Sequence, residues 1–496
     1  MNGRGESDGC VVPRKLSNNL GGPGAEAVEG RRPAKGNAAS ETRPGRGAGL
    51  SVSSDLDRVR QVARRDKQVR FTALLHHVTV DRLREAYRAI RPDAAAGADG
   101  VTWREYGLEL EDNLRDLYAR VHRGAYRARP VRRAYIPKPD GRQRPLGVAA
   151  LEDKVLQRAV VEVLNAVYEQ DFLGFSYGFR PKRSPHHALD ALAVVIERRK
   201  VRWVLDADIR DYFSSLDHSW LLRFLEHRIA DKRVLRLIQR WLKAGVIEDG
   251  EWSETVEGTP QGASVSTLLA NVYLHYVFDL WVHQWRSRHA RGDVVVVRFA
   301  DDFVVGFEHH GDAERFRAGL RKRFARFGLE LHEGKTRLIE FGRFAAVNRE
   351  ARGLPKPETF DFLGLTHICG KDRRGRFKLK RATSKKKMRA KLHAVKAEMR
   401  RRAHHSIPEQ GHWLARVLRG HYNHYAVPDN YQALRAFHRS VKQHWLRALR
   451  RRSQRSRLTW ERMGRLDKRW LSQPCIQHPW PGVRFDARTQ GRSPVR

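Results

Sequence analysis

Cysteine is nearly absent from this chain: three in 496 residues, at Cys10, Cys369 and Cys475. So few and so scattered, they exclude a disulfide framework and a cysteine-based zinc staple, and they indicate a reducing compartment. The lack of paired Cys spacings also argues against an appended zinc-stapled nuclease module. Long apolar runs are missing too. None approaches the ~20 residues that span a bilayer, and the start, Met1 to Asp8, lacks the apolar core of a secretory signal. Acidic charge is scarce: 56 Asp plus Glu stand against 97 Lys plus Arg, a net charge of +41. A deficit that large calls for a polyanionic partner, by default nucleic acid, with a membrane surface as the competitor. No internal repeat of 20–50 residues is present. His-His pairs begin at His76, His186, His309 and His404 without motif partners, and they read as surface or nucleic-acid-facing residues rather than metal ligands.

What is present is enough to build a sizeable core, with 41% of residues hydrophobic and a length that allows roughly three domains. Residues 1–54, rich in Gly, Pro, Ser, Ala and Arg, read as a disordered basic arm. Residues 56–95 read as helical, Gly97–Gly100 as a turn, and 103–121 as a helix. Tyr135–Arg142 reads as a strand entering a hairpin with Asp140-Gly141 at its tip. Residues 152–168 form an amphipathic helix, with Val155, Leu156, Ala159, Val160, Val163 and Leu164 at helical spacing. A long apolar helix is predicted over 265–285, a helix over 313–327 and a strand over 338–341. Past about residue 375 strand signals fade and basic amphipathic helices take over. One carries Met388, Leu392, Val395 and Met399; the other, over 431–452, carries Leu434, Phe437, Val441, Trp445 and Leu449. Their Lys and Arg residues suit either a solvated face or a nucleic-acid-contacting one, and the interleaved aromatics favour the latter.

The chemistry concentrates in Phe299-Ala300-Asp301-Asp302, set between the apolar runs 294–297 and 303–305. This reads as a hairpin with two adjacent carboxylates at its tip. Strands pleat with period two, so neighbouring acids share one side only where the chain turns. An isolated Asp-Asp turn would be simply solvated. Here Trp203–Ile209 supplies a further strand, whose alternation puts Val204, Asp206 and Asp208 on one face. Laid beside the hairpin, it brings Asp208 to Asp301 and Asp302. Three converging carboxylates suit two hard divalent ions about 4 Å apart, the arrangement of in-line phosphoryl transfer. Asp206 is the lesser candidate on that face.

The order of motifs resembles the reverse transcriptase/maturase proteins encoded by bacterial group II introns. The resemblance runs over residues 60–480 and rests on several segments. Gly97–Val101 is similar to the family's extra amino-terminal motif. Ile136-Pro137-Lys138 through Arg144–Gly147 is similar to its fingers hairpin, and Phe175–Pro181 to the next fingers motif. Asp208-Ile209-Arg210 with Phe213 and Leu216-Asp217-His218, then Thr259–Gly262 and Phe299–Asp302, resemble the palm motifs. Gly328–Leu331 with Lys335-Thr336, and Phe360–Gly364, close the polymerase part. Gly420–Tyr425, Arg450–Gln454, Trp460 and Ile476–Pro479 are similar to the maturase domain. Phe299 stands where the family usually has Tyr, Ala263 where a second Gly is common, and Ser214 where Asp is frequent; no metal ligand is lost.

The resemblance implies an α+β right-hand polymerase, its fingers and antiparallel palm sheet followed by a helical thumb. The expected division is 1–54 arm, 55–375 fingers and palm, 376–475 thumb/maturase domain, and 476–496 a short basic tail. An endonuclease domain is expected to be absent. It implies RNA-directed DNA polymerisation on two Mg²⁺ held by Asp208, Asp301, Asp302 and the main chain of Ile209. Lys138, Arg144, Phe213, Gln261 and Lys335 would then bind nucleotide, and Lys385, Lys386, Lys387, Arg450, Arg451 and Arg452 RNA. The implied partners are a group II intron RNA, an RNA template with a DNA primer, deoxynucleoside triphosphates and target DNA, in a cytoplasmic ribonucleoprotein acting at the nucleoid. No membrane partner is expected. Two alternatives stay open: a splicing-only RNA-binding maturase, and a relative recruited for defence against phage.

Overall fold

The computed structural model describes residues 50–489 apart from 138–142, 256, 260–261 and 453–457, with the backbone alone at 50–54 and 137. Its strands are β1 (Val131–Pro137), β2 (Gln143–Val148), β3 (Trp203–Ala207), β4 (Val246–Glu248), β5 (Glu251–Ser253), β6 (Val294–Phe299), β7 (Asp302–Phe307), β8 (Arg337–Glu340), β9 (Phe360–Phe362), β10 (Leu365–Lys371) and β11 (Phe377–Thr383). The architecture is mixed α+β, with three small sheets and a helical C-terminal part. The arm expected over 1–54 lies outside the described residues up to 49, and its last five already belong to the helix Leu50–Arg65.

The chain divides into two compact units, one made of the residues up to Leu173 with Asp211–Trp285 and Arg323–Leu329, the other of the rest. In the first, the helix Leu151–Asp171 is buried on most faces, because Val155, Leu156, Ala159, Val160, Val163 and Leu164 leave it almost no polar side. The helices Leu50–Arg65, Val80–Arg88 and Ser264–Leu274 pack against it. The mixed sheet runs β2-β1-β4-β5, with β1 antiparallel to β2 and parallel to β4. The Asp-Gly tip expected in the β1–β2 hairpin lies outside the described residues.

Local expectations fail where chain breaks override pattern. Residues 56–95 are not one helix: after Arg65 the chain is irregular, and a second helix starts at Val80, capped by Thr79. The helix expected over 103–121 is two, Trp103–Tyr106 and Leu110–His122. Gly107 ends the first, where a β-carbon would stand 2.3 Å from the Tyr87 hydroxyl. The apolar helix over 265–285 is continuous in direction but passes through a π turn, His275–Asp279.

In the second unit the antiparallel sheet runs β6-β7-β3-β8. The helix Pro185–Arg198 packs on β6, nearly all of its residues from Ala188 to Ile196 being buried. A smaller sheet, β11-β10-β9, follows; β11 extends the strands past the point where their sequence signal fades. The helices Lys385–Arg401, Ile407–Tyr425, Tyr431–Arg450 and Trp460–Trp470 then close round Leu414, Leu418, Leu434, Phe437, Val441 and Trp445. Ser406 and Glu409 start the second of these with a capping box that encloses Pro408 in the first turn. Trp445 is fully buried with its indole N–H on Gln410 Oε1 at 2.9 Å, and truncating such a side chain to Ala costs about 3–5 kcal/mol.

The basic tail expected from 476 is not a tail. Residues Pro481–Thr489 are a helix packed on Pro185–Arg198. The joint is ionic: Asp190, 1% exposed, takes Arg484 on one oxygen and Arg381, also 1% exposed, on the other at 3.1 Å. A buried carboxylate shared by two guanidiniums is stable only as a complete set, since each charge left alone carries a desolvation penalty.

Candidate active site

β3 is the central strand on which the acids assemble. Ala207 pairs with Phe303 of β7, and one step on Asp208 falls opposite Asp302. Phe299 and Asp302 close the β6–β7 hairpin, so Ala300 and Asp301 form its two-residue turn. The prediction of adjacent acids at a hairpin tip, beside the strand that delivers Asp208, is met by this register. Asp206, one pleat back, lies opposite Arg337 of β8 and 3.5 Å from its guanidinium.

The turn is held from behind by residues that sequence reasoning did not single out for this role. Ala300 has φ +57, a left-handed conformation unusual for a residue with a side chain. Arg298, fully buried in β6, donates to the Ala300 carbonyl at 2.9 Å and to Ser176 Oγ at 2.7 Å. The segment Phe175–Tyr177 runs along β6, with Arg298 N–H on Phe175 O and Tyr177 N–H on Arg298 O. At Gly178 a β-carbon would stand 2.2 Å from the Ala300 nitrogen. The available signal was a lone arginine inside an otherwise apolar strand, and a glycine within the Phe175–Pro181 motif.

Electrostatics tie the acids together. Asp302 is exposed on a cleft, but protein crowds its carboxyl closely enough to weaken the solvation of its charge. That burial, reinforced by Asp301, Asp208 and Asp206, pushes its carboxyl up to about 7. Burial likewise raises Asp206 to about 6, against the opposing pull of Arg337. Asp208 pairs with the Lys335 ammonium. The cleft measures about 680 Å³ and is lined by Asp206, Asp208 and Asp302 on one side and Asp361, Lys387 and His424 on the other. Asp361 accepts from Ser384 Oγ at 2.7 Å, and His424 bonds the Leu363 carbonyl at 2.9 Å, fixing that wall.

Ile209 forms a single bridge with Leu331. Its two bonds, His332 N–H to Asp208 O and Arg210 N–H to Glu330 O, both 2.8 Å, leave the Ile209 carbonyl on the opposite edge. Clustered carboxylates are the donor chemistry a hard divalent ion takes. As placed, no three His, Cys, Asp or Glu among the described residues are grouped closely enough to hold one, and Asp208 carries Lys335. The residue types fit Mg²⁺; the ligand spacing is that of a site closed on a lysine.

One cleft is thus lined by Asp208, Asp302 and Lys335, with Ile209 following Asp208 and Asp301 in the turn before Asp302. Arg144, exposed opposite Ile136, and Phe213 belong to the other unit. There the Phe213 carbonyl accepts from Thr259 N–H at 2.7 Å, and Gly258, at φ +83, packs against the same loop. Lys138 and Gln261 lie outside the described residues. Lys385, Lys386 and Lys387 are exposed in the first turn of their helix, and Lys387 reaches the cleft. Arg450, Arg451 and Arg452 are exposed at the end of Tyr431–Arg450 and do not line it. Arg450 bonds Leu458 O at 2.9 Å and Arg452 bonds His405 O, so both brace loops. His186, expected at the surface, is instead half-buried against His478, with ring centroids 3.8 Å apart, and burial drives its ring down to about 3.

Comparison with known proteins identifies relatives of this chain. A family model described as reverse transcriptase (RNA-dependent DNA polymerase) matches residues 136–367. Protein YkfC of Escherichia coli is 34% identical over 273 residues, 48% of this chain and 71% of that one. Group II intron-encoded protein LtrA of Lactococcus lactis is 35% identical over 207 residues, 42% of this chain but only 34% of that protein. An uncharacterized 91 kDa protein in the cob intron of Schizosaccharomyces pombe is 39% identical over 158 residues, 32% of this chain and 19% of its own. Among the described residues no helix is long and apolar enough to cross a membrane.

Proposed function

Because the chain belongs to the reverse transcriptase (RNA-dependent DNA polymerase) family, of the group II intron kind, we propose that it copies RNA into DNA and also binds its parent intron RNA to assist splicing. The observation that supports the first half is the β3–β7 pairing, which ends at Ala207 opposite Phe303 with Asp208 and Asp302 the next residues along, and Asp301 in the adjoining turn. Asp208, Asp301, Asp302 and the Ile209 carbonyl are the groups that would hold two Mg²⁺. Bound there, the ions would lower the pKa of a primer 3′-hydroxyl and offset the charge of leaving pyrophosphate.

The chain's own residues do the rest. Asp208 must exchange the Lys335 ammonium for metal, which frees Lys335 to meet the negative charge of the incoming triphosphate. Lys138 and Arg144 serve on the fingers hairpin as point charge and fork for phosphate oxygens. By the family resemblance, Phe213 would meet the sugar and Gln261 the templating pair. In this reading β6-β7-β3-β8 is the palm, residues 55–375 fingers and palm, and 376–475 the thumb.

Binding of intron RNA needs no carboxylate chemistry. Lys385, Lys386 and Lys387 occupy the first turn of a helix with no acid there. Cations at that end oppose the helix dipole, an arrangement that phosphate contacts would relieve. Support for intron mobility by target-primed synthesis follows from the same two activities.

The test separates them. Asp301→Asn with Asp302→Asn lowers primer extension on poly(rA)/oligo(dT) by at least about a thousandfold, some 4 kcal/mol of barrier, while intron splicing in vitro stays within about threefold of wild type. Equal loss of both activities would show that the two are not separable as proposed.

A further inference from the structure

A pocket of about 380 Å³ opens between the loop before helix Pro185–Arg198 and helix Pro481–Thr489. None of the cleft carboxylates lines it. Lys182 and Arg183 come from the loop and Arg484 and Arg488 from the C-terminal helix, with Tyr177 and Phe485 as apolar wall. The volume lies in the range of small-ligand sites, roughly 300–1,000 Å³.

Its charge is lopsided. The one carboxylate lining it, Asp190, is already shared by Arg484 and the buried Arg381. Arg488 bonds neutral groups, the His187 ring and the Lys182 carbonyl, the latter at 3.0 Å. Arg183 donates to Gly174 O at 2.6 Å and lies over the Tyr177 ring at 5.0 Å. His187 registers the resulting field. Burial first, then Arg488, Arg484 and Arg183, hold its ring down to about 4, so it stays neutral among guanidiniums. The loop is also bent through two left-handed residues with side chains, Phe179 at φ +57 and Lys182 at φ +60. Such conformations cost on the order of 1–3 kcal/mol each and persist where surrounding structure imposes them.

We propose that this pocket binds the phosphate of one nucleotide, with Arg488 and Lys182 as its principal counter-charges. Guanidinium forks match phosphate oxygens in pairs, and an ammonium beside them adds a point charge. A phosphate offers oxygens to guanidinium and ammonium together; a terminal phosphate brings up to two negative charges and a strand diester one. The apolar wall of Tyr177 and Phe485 suits the nucleoside attached to it. The nucleotide can belong to an RNA strand or be free, and the experiment tells them apart.

Full-length protein is titrated with a fluorescein-labelled 15-nucleotide single-stranded RNA by anisotropy, and with AMP by calorimetry. The variant combines Arg488→Gln with Lys182→Asn, since Asn tolerates left-handed backbone. Arg465→Gln, an exposed arginine of another helix, is the charge control. For a strand phosphate, the double variant weakens RNA binding about tenfold and flattens the salt slope by about 0.7, the value for one lost single-strand phosphate contact. The control moves neither, and AMP gives no heat. For a free nucleotide, AMP binds wild type saturably and the double variant loses that heat. A folded double variant with unchanged RNA affinity, salt slope and AMP heat overturns the proposal. Should the variant unfold, amide exchange in wild-type residues 481–489 decides: slowing by RNA or AMP supports the site, and no slowing by either refutes it.

Discussion

Gly178 lies so close to Ala300 that a β-carbon on it would stand 2.2 Å from the Ala300 amide nitrogen. The contact joins two segments 122 positions apart, and its effect is to fix the turn that carries Asp301. A displacement of about an ångström at a catalytic group far exceeds what phosphoryl transfer tolerates, since positioning alone can be worth orders of magnitude in rate.

Gly178→Ala therefore acts on geometry rather than chemistry. The added methyl pushes on backbone, which cannot swing aside as a side chain can, at a cost of about 1–3 kcal/mol in stability. Primer extension falls at least about tenfold, with the loss in kcat rather than in KM for nucleotide. Unchanged kcat in a protein with a lowered melting temperature would show that the turn is not braced from 178.

On the proposed reading, divalent cation stabilises the fold. Asp302 is raised to about 7 by burial and by three neighbouring aspartates, a repulsion that a bound cation relieves. Ligand that binds only the folded chain adds about 2.7 kcal/mol at a hundredfold excess over its dissociation constant. The melting temperature rises with added Mg²⁺ and reverts with EDTA. Asp301→Asn with Asp302→Asn abolishes the rise; if that variant responds as wild type does, the ions bind elsewhere.

Asp190 is worth more than a surface acid. Asp190→Ala leaves Arg381, 1% exposed, and Arg484 without their common partner, and removing one member of a buried ionic set costs about 3–5 kcal/mol. Urea unfolding measures it. Pairing Asp190→Leu with Arg381→Met recovers part of the loss, because the stranded charge is then gone. A loss under about 1 kcal/mol for Asp190→Ala, the size of an exposed pair, would contradict a buried joint.

His367 is one source of acid sensitivity, beside His186, His187 and His421, which burial also holds low. The His367 ring is fully buried in β10, stacked on Phe360 at 4.8 Å and 7°, and burial followed by the Arg381 charge drives it down to about 3. The folded chain thus stays neutral there while the unfolded chain takes up a proton near pH 6.5. Its contribution to stability is present above pH 6.5 and is lost as pH falls toward 3, by up to about 1.4 kcal/mol per pH unit. His367→Phe flattens that part of the curve. A variant as steep as wild type between pH 6 and 4 would assign the acid sensitivity to other groups.

Composition and local pattern reach a long way in this protein. The alternation in Trp203–Ala207 and the adjacency of Asp301 and Asp302 already demand a strand and a turn, because pleat periodicity is a property of a few consecutive residues. The heptad-like spacing of Leu434, Phe437, Val441 and Trp445 forecasts a buried helix face for the same reason, and all four are buried.

What sequence alone does not carry is any interaction whose partners are distant along the chain. Gly107 has no room for a side chain because the Tyr87 hydroxyl occupies that space. The segment after residue 476 reads as a solvated tail until Arg484 finds Asp190, 294 positions away. Arg298 looks misplaced among valines until Ser176 and Ala300 receive its protons. Propensity and periodicity are summed over neighbours, whereas desolvation and close packing are decided by whatever the folded chain brings within a few ångströms. The acids of this cleft come from local rules, and the brace that holds them in place comes from the fold.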